Sequence, residues 1–307
     1  MSHSVQGPCI EGDPFRNLRQ ASVKSLTPGR APFTLRSAGL TDVGRRRSCN
    51  QDSLLFDDGM GLYAVADGMG GHAAGEIASR EAIDTLRGMV RQGAHLLRAV
   101  DEGDHSSEAL WRVGRLLESA VQAATYMVFG IAQNDPNQAG MGTTLSALLL
   151  CGPFGLTAQV GDSRVYLVRD GRVKQLTEDH TLIAWQLKQG LISPSEAALS
   201  PHKNVITRAV GSREYVQVDT HFFPVEADDR FMLCSDGLHG YLRDEEIPGV
   251  LGLGPQRAVR QFVDTANLRG GRDNITSIVV QVDLADEEPL DDRDEKPTLP
   301  GIPDTDL

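Results

Sequence analysis

Residues 62–75 have the sequence LYAVADGMGGHAAG, an apolar run that stops at an aspartate and continues into glycines. The apolar run 62–66 predicts a buried strand that ends at Asp67. Three of the next four residues are glycine, and the segment after them is compatible with a helix. One interpretation is a tight Asp-Gly turn between a strand and a helix. The other is a carboxylate held at a strand end, beside backbone that glycine leaves open to a ligand.

Strand patterns lie on both sides of this stretch. The runs FTLRSAGLTD (33–42) and SLLFDD (53–58) precede it, and residues 59–61 predict a hairpin into the strand at 62–67. Downstream, short connections such as Asp170-Gly171 predict an antiparallel meander, because such turns cannot join parallel neighbours. Its strands are TTLSALLLCG (143–152), LTAQVGD (156–162), RVYLVRD (164–170) and RVKQLTED (172–179). The later strands are VQVDTHFF (216–223), RFMLCSD (230–236) and NITSIVVQVDL (274–284).

Apolar residues recur at helical spacing in residues 74–90 and 110–131, and a further helix is predicted at about 255–268. The first two segments each have one apolar stripe, so we expect each helix to cover a sheet on one side only. Residues 181–211 are helical but irregular and contain two prolines, which suggests an inserted flap. The order of strands and helices predicts an α+β domain whose sheets are mainly antiparallel.

Composition separates this domain from the two ends of the chain. The 307 residues are 40% hydrophobic and 23% charged, as in soluble globular proteins. Residues 1–32 are polar and contain four prolines, and residues 285–307 are acidic and contain four more, so we expect extensions around a domain at 33–284. The tail carries −7 of the net charge of −12, and the body shows no basic stripe. Nucleic acid is therefore not an expected partner.

The cysteines and the lengths of the apolar runs indicate the cellular compartment of the protein. The four cysteines form no Cys-x-x-Cys pair and no zinc-like spacing, a usage that favours a reducing compartment. No apolar run approaches the ~18 residues of a membrane span, and the N-terminus lacks the apolar segment of a signal peptide. We therefore expect a cytoplasmic protein without a membrane span.

Four aspartates begin or end apolar strands next to Gly, Ser or Asn: Asp67 (VADG), Asp162 (VGDSR), Asp236 (CSDG) and Asp273 (GRDN). Each alone is compatible with a turn former or a helix cap. If the four strand ends converge, bound cations must offset the repulsion among the carboxylates. Oxygen ligands without nearby His or Cys point to Mg²⁺ or Mn²⁺ rather than zinc. Spacing alone does not establish that they converge.

Eight motifs follow one another along the chain: TDVGRRRSCNQDS, VADGMGGHAAGE, MGTTLSALLL, VGDSRVYLVRDG, EDHT, NVITRAVG, CSDGL and GRDNITSIVV. Together they resemble the metal-dependent protein serine/threonine phosphatases of the 2C type, in their bacterial branch. The resemblance covers residues 38–282. It implies two antiparallel sheets sandwiched between helical layers (αββα), and hydrolysis of phosphoserine and phosphothreonine on proteins. It also implies a bacterial Ser/Thr protein kinase as the counterpart.

The resemblance implies a ligand set for two catalytic Mn²⁺ or Mg²⁺ ions and for a third, weaker one. Asp67 matches the aspartate that bridges the two catalytic ions, and Gly68 matches the residue whose carbonyl helps to hold one of them. Asp236 and Asp273 match the remaining ligands of the other ion. Asp162 matches the aspartate that shares the third ion with the equivalent of Asp236. In the family a water or hydroxide between the two ions attacks phosphorus directly.

Other matched positions surround these ligands. Arg47 matches the arginine that clamps the substrate phosphate, since a guanidinium presents paired N–H donors that fit phosphate oxygens. Gln51, Asp52 and Asn274 lie next to the metals by the same resemblance. No Cys-x5-Arg loop of a cysteine-based phosphatase is present.

The chain departs from the family pattern at two positions. Many members have Glu where this chain has Gln51, and an amide supplies no negative charge, so a lower affinity for the second ion is expected. Some members have a His directly after the Asp-Gly pair, where this chain has Met69. The nearest histidine, His72, is a candidate general acid for the leaving oxygen, or alternatively a capping or surface residue.

Two other functions compete with a phosphatase. Residues 68–73 fit the pattern G-x-G-x-x-A of a dinucleotide-binding oxidoreductase, but Asp67 would repel a pyrophosphate and the hairpins oppose a parallel sheet. A phosphoprotein-binding regulatory scaffold with a weakened site is the second alternative. The retained Arg47 and the four aspartates argue against it.

Overall fold

The computed structural model describes residues 33–71, 74–202 and 204–285. The strands are β1 (Phe33–Asp42), β2 (Asp52–Asp57), β3 (Leu62–Met69), β4 (Gly142–Thr143), β5 (Leu145–Cys151), β6 (Phe154–Val160), β7 (Arg164–Arg169), β8 (Arg172–Gln175), β9 (Asp219–Pro224), β10 (Arg230–Cys234) and β11 (Ile275–Leu284). The α-helices are α1 (Ala74–Gln92), α2 (Ala94–Asp101), α3 (Ser107–Asn134), α4 (Leu182–Lys188), α5 (Pro194–Leu199), α6 (Asp236–His239), α7 (Ile247–Leu251) and α8 (Pro255–Leu268). The predicted extensions at 1–32 and 285–307 lie outside the described residues, apart from Ala285.

The strands form two antiparallel sheets. One sheet has the order β1-β11-β10-β7-β8, and the other has the order β2-β3-β5-β6-β9, with β4 added to β3. Apolar side chains of both sheets, such as Val65 and Leu148 from one and Leu233 and Ile278 from the other, pack together between them. Helices α1 to α3 cover the outer face of the second sheet, and α6 to α8 cover that of the first. The expected αββα layering is confirmed.

Several local predictions are confirmed because their signals are strong over a short range. Strands β2 and β3 form the predicted hairpin, with Asp52 opposite Asp67. Asp170 (φ +52°) and Gly171 (φ +72°) both have positive φ and join β7 to β8, as an Asp-Gly hairpin turn requires. Helix α8 has the predicted bounds.

The predicted meander is wrong between β6 and β7, which belong to different sheets. Both strands are buried along most of their length, so their apolar patterns do not show which neighbours they pair with. Gly161, with φ +102°, turns the chain at the end of β6 so that Asp162 and Ser163 cross from one sheet to the other. The crossing places Asp162 at the open end of both sheets.

The predicted flap contains the two short helices α4 and α5. A capping box of Ser193 and Glu196 starts α5. Thr181 and Ile206, near the two ends of the flap, form an isolated antiparallel bridge. The flap therefore leaves and rejoins the domain at one place. The flap bounds at 181 and 211 stay a prediction. None of the helices in the described residues is long and apolar enough to cross a membrane.

Candidate metal and phosphate site

The four singled-out aspartates lie at one end of the two sheets. Asp67 belongs to β3, Asp162 follows β6, Asp236 is the first residue of α6 after β10, and Asp273 precedes β11. They line one cavity of about 410 Å³. The other lining residues are Arg47, Gln51, Gly68, Met69, Gly70, Asn204, Ile206 and Asn274. The structure therefore brings together the residues that the motifs place far apart in the sequence.

The carboxylates of the cavity repel one another. Burial raises the pKa of Asp67 well above its ordinary value, and the charges of Asp52, Asp236 and Asp162 raise it further. Burial, followed by the charge of Asp236, raises the pKa of Asp162 to about 7. Burial and the charge of Asp273 raise the pKa of Asp236. Ionised carboxylates in this arrangement need positive charge close by, which a divalent cation supplies.

The donor set fits hard cations. Asp236 Oδ1 and Asp52 Oδ1 are buried and have no hydrogen-bond partner among residues 33–71, 74–202 and 204–285, which is unusual for carboxylate oxygens. Within the same residues, no three acidic, His or Cys side chains come close enough to enclose an ion by themselves. Mg²⁺ commonly takes only one or two carboxylates and keeps several waters, so an open set of oxygen ligands is compatible with it.

Asp52 is a buried carboxylate beneath the cavity. Its Oδ2 accepts hydrogen bonds from Ser235 Oγ (2.8 Å) and Thr276 Oγ1 (2.6 Å). Burial raises the pKa of Asp52 to about 7, although these two bonds act in the opposite direction. Ser235 and Thr276 each lie close to a candidate ligand, Asp236 in one case and Asp273 in the other. Neither hydroxyl is recognisable as part of the site from the sequence, where each is only a Ser or Thr within three residues of an aspartate at a strand end.

Asn274 fixes the loop that carries Arg47. Its Nδ2 donates to the carbonyl oxygens of Val43 (3.0 Å) and Cys49 (2.9 Å), and its Oδ1 accepts from Gln51 N (2.8 Å). Arg47, whose side chain is half exposed, then reaches over the cavity, where its Nη2 donates to Asp273 Oδ2 (2.7 Å). That bond raises the pKa of Arg47, and the charges of Asp67 and Asp236 raise it further. The arginine is thus held charged at the mouth of the cavity.

A buried network of hydroxyls lies below Asp67. Thr144 Oγ1 accepts from Asp67 N (2.9 Å), and Asp67 O accepts from Thr144 N (2.9 Å). The same hydroxyl lies 2.8 Å from Ser163 Oγ, next to Asp162. Both residues belong to motifs of the sequence, but nothing in their spacing indicates that they meet. They connect the backbone of two candidate ligands.

His239 supports Asp162 from the opposite side. Its Nε2 lies 3.0 Å from the carbonyl oxygen of Asp162. Burial, together with the charge of Arg164, lowers the pKa of His239 to about 3, so the neutral ring donates this hydrogen bond at pH 7. The other histidine of interest, His72, lies outside the described residues.

We predict that the metal-free protein loses stability as the pH rises from 6.5 to 8.5. Asp52 and Asp162 have folded-state pKa values of about 7, against the ordinary 3.8, and Asp67 is raised as well. The folded state therefore binds more protons than the unfolded chain and loses them as the pH rises, which lowers the free energy of unfolding by on the order of 2 kcal/mol. His239, whose pKa is lowered, titrates in the opposite sense mostly below pH 6.5.

Thermal unfolding with EDTA and with Mn²⁺ at the two pH values would measure this effect. The metal-free Tm should fall by roughly 4 °C or more, and the rise in Tm on adding Mn²⁺ should be larger at pH 8.5. Asp162→Asn should reduce the fall. A metal-free Tm that is equal or higher at pH 8.5 would contradict the mutual repulsion of the carboxylates.

Known proteins share both the sequence pattern and the fold. The family model described as protein phosphatase 2C matches residues 43–276. The serine/threonine phosphatase stp of Listeria monocytogenes is 36% identical over 251 residues, which are 80% of this chain and 94% of that protein. The serine/threonine protein phosphatase PstP of Mycobacterium tuberculosis is 37% identical over 82% of this chain and 46% of its own length. The crystal structure of a PstP catalytic domain with two manganese ions has a TM-score of 0.69 at 34% identity, covering 82% of this chain and 99% of that one.

Proposed function

The chain belongs to the protein phosphatase 2C family, and on this basis we propose that the aspartate-lined cavity is the active site of a metal-dependent protein serine/threonine phosphatase. The family membership itself establishes the reaction, the hydrolysis of phosphoserine and phosphothreonine on proteins with Mn²⁺ or Mg²⁺. We assign that reaction to particular residues of the cavity. The observation that carries it is the convergence of four aspartates and Arg47 on one cavity of about 410 Å³.

We assign the metals to the oxygen donors of the cavity. Asp67 and Gly68 would hold one catalytic ion. Asp67, Asp236 and Asp273 would hold the other together with water, since these carboxylates do not enclose an ion by themselves. Asp162 and Asp236 would hold a third, weaker ion. When bound, such ions lower the pKa of water and offset the charge of a transferring phosphoryl group. Asp52, with its partners below the cavity, holds the backbone around Asp236 in place.

The substrate phosphate would enter at the cavity mouth beside Arg47. A guanidinium has five N–H donors, and the bond to Asp273 uses one of them. The remaining donors can pair with phosphate oxygens while the arginine stays anchored. Asn204 and Ile206 of the flap line the same cavity and would contact the polypeptide around the phosphorylated residue.

A phosphocysteine intermediate is not part of this proposal. Cys234 lies two residues before Asp236, but it is fully buried, and burial raises the pKa of its thiol to about 12. Cys151 is also buried, with a pKa of about 12 for the same reason. Such thiols stay protonated at pH 7 and are poor nucleophiles. Direct attack by water agrees better with the residues of the cavity.

Arg47→Ala should weaken the binding of a phosphothreonine peptide. We expect KM to rise by ~10-fold or more with a smaller fall in kcat, since the guanidinium contacts phosphate in both the bound substrate and the transition state. Steady-state kinetics at saturating Mn²⁺ would separate the two constants. Arg46→Ala is the matched control, because it removes an exposed arginine of the same loop. Unchanged kinetics in Arg47→Ala, or an equal effect in the control, would remove Arg47 from the phosphate site.

Three further assignments belong to the proposal. Asn204 and Ile206 lie in the wall of the cavity, which supports a flap at 181–211 that borders the site. The flap would be part of a domain at 33–284. A bacterial Ser/Thr protein kinase would supply the phosphorylated proteins. The cysteine usage supports a cytoplasmic location. Mapping the phosphoproteome of cells with and without this phosphatase would identify the proteins on which kinase and phosphatase act.

A further inference from the structure

His180 lies where the flap begins and touches the turn that carries Asp162. It is only 5% exposed. Its backbone N donates to the carbonyl oxygen of Gly161 (2.9 Å), and its ring Nδ1 accepts from the backbone N–H of Gly161 (3.2 Å). His180 therefore bonds to both backbone groups of Gly161, the residue immediately before Asp162. The carbonyl oxygen of Gly161 also accepts from Gln159 Nε2 (2.9 Å), whereas the N–H of Gly161 donates to His180.

The second ring nitrogen faces away from the cavity. His180 Nε2 lies 3.1 Å from Asp219 Oδ2 and 3.2 Å from Arg208 Nη1. Arg208 Nη1 makes its shorter hydrogen bond, of 2.7 Å, to the other oxygen of Asp219. Because Nδ1 accepts a hydrogen bond, the neutral ring carries its proton on Nε2 and donates it to Asp219. Asp219 thus selects the tautomer that the bond to Gly161 requires.

The main chain of His180 also holds the far end of the flap. Its carbonyl oxygen accepts from Thr207 N (2.8 Å) and from Thr207 Oγ1 (3.0 Å). Thr207 and Arg208 follow Ile206, which lines the cavity. The turn at Gly161 and the base of the flap are therefore joined through a single buried residue.

The conformation of Gly161 makes this support necessary. Its φ of +102° lies in the region that favours glycine, and a Cβ there would come within 2.6 Å of Thr144. The turn has no regular secondary structure, so the hydrogen bonds around Gly161 set the direction in which Asp162 leaves the backbone. A change of tautomer at His180 would replace an acceptor by a second N–H facing the N–H of Gly161.

We propose that His180 is a positioning residue, which holds Asp162 in place for the weaker metal ion through a tautomer fixed by Asp219 at the base of the flap. The proposal rests on the assignment of Asp162 to that ion. If it is right, Asp219 affects metal binding although it does not line the cavity of the aspartates.

Three variants test the two sides of the ring. In His180→Asn the amide oxygen replaces the Nδ1 acceptor, so the bond to Gly161 is kept and the bond to Asp219 is lost. In His180→Gln the amide nitrogen replaces the Nε2 donor, so the bond to Asp219 is kept and the bond to Gly161 is lost. Asp219→Asn can donate to Nε2 and thereby favour the wrong tautomer, as an Asp-to-Asn change does in the serine protease triad.

Mn²⁺ titration by electron paramagnetic resonance, on protein with both tighter sites filled, would measure the weak site. Hydrogen exchange of the Gly161 amide would report on the turn. We expect ~10-fold weaker binding at the weak site and faster exchange at Gly161 in His180→Gln and Asp219→Asn, with both properties near wild type in His180→Asn. Equal losses in His180→Asn and His180→Gln would show a general packing role and overturn the proposal.

Asp162→Asn separates this inference from the proposed function. It should remove the weak site and leave the exchange of Gly161 unchanged. If Asp162→Asn does not affect Mn²⁺ binding, the metal assignment of Asp162 fails, and the positioning proposal fails with it. If Asp162→Asn removes the weak site but Asp219→Asn binds Mn²⁺ like the wild type, the metal assignment stands and the role of His180 is refuted.

Discussion

Asp67→Asn should abolish phosphatase activity, with kcat/KM for a phosphothreonine peptide lower by ~10³-fold or more at saturating Mn²⁺. Burial and the charges of Asp52, Asp236, Asp162 and Asp273 all raise the pKa of the Asp67 carboxylate. An amide of the same size removes the charge that would be shared between two cations. It leaves the backbone bonds between Asp67 and Thr144 in place.

The stability of the same variant distinguishes a lost ligand from a damaged fold. Because Asn relieves the repulsion among the carboxylates, the metal-free Tm should be unchanged or higher, while the rise in Tm on adding Mn²⁺ should largely disappear. Asp84→Asn is the matched control, since Asp84 is an exposed aspartate of α1. It should behave like the wild type in both measurements. Activity near wild type in Asp67→Asn would refute the assignment of Asp67 as a metal ligand.

Gly68→Ala should be the most damaging substitution in the glycine turn after Asp67. A Cβ at Gly68 would lie 2.0 Å from Gly75 O and 2.5 Å from Gln51 O, both backbone atoms that cannot rotate away. Gly68 N also donates to Gln51 O (3.0 Å), so the crowding falls where β3 meets the loop of Arg47. We expect a loss of ~3 kcal/mol or more in the free energy of unfolding, and ~10²-fold lower activity in the folded fraction.

Gly71→Ala provides the control within the same turn. Gly71 is exposed, and among the described residues no atom lies within 4 Å of the Cβ position. Chemical denaturation and kinetics of the two variants would test whether the effect comes from the backbone atoms close to Gly68, rather than from the loss of any glycine in this turn. A Gly68→Ala protein as stable and active as Gly71→Ala would contradict the packing of this turn.

The sequence predicts the parts of this fold whose causes are local. The Asp170-Gly171 pair specifies a hairpin turn because both residues accept positive φ, and the apolar stripe at 255–268 specifies a helix. The crossing at Gly161 between the two sheets was not predicted. It depends on which strands pair over long distances, and the apolar residues of two strands that are buried along most of their length do not encode that choice.

The residues of the candidate site were likewise predicted only in part from the sequence. Asp67, Asp162, Asp236 and Asp273 are recognisable one at a time from their strand ends, but only the resemblance to a family suggested that they converge. Supporting groups such as His239 were missed. His239 contacts Asp162 although it lies 77 residues further along the chain. A single histidine after the Asp-Gly pair that starts a helix does not indicate such a contact in the sequence.

Hydrolysis of a phosphothreonine peptide by the purified protein, with and without Mn²⁺ and with excess EDTA, tests the central claim most directly. We predict activity that appears with Mn²⁺, disappears with chelator and returns when Mn²⁺ is restored. If a folded protein shows no hydrolysis across Mn²⁺ and Mg²⁺ titrations, the cavity is not a working two-metal phosphatase site. A phosphoprotein-binding role with a weakened site would then be the better account, and Gln51→Glu the first variant to examine.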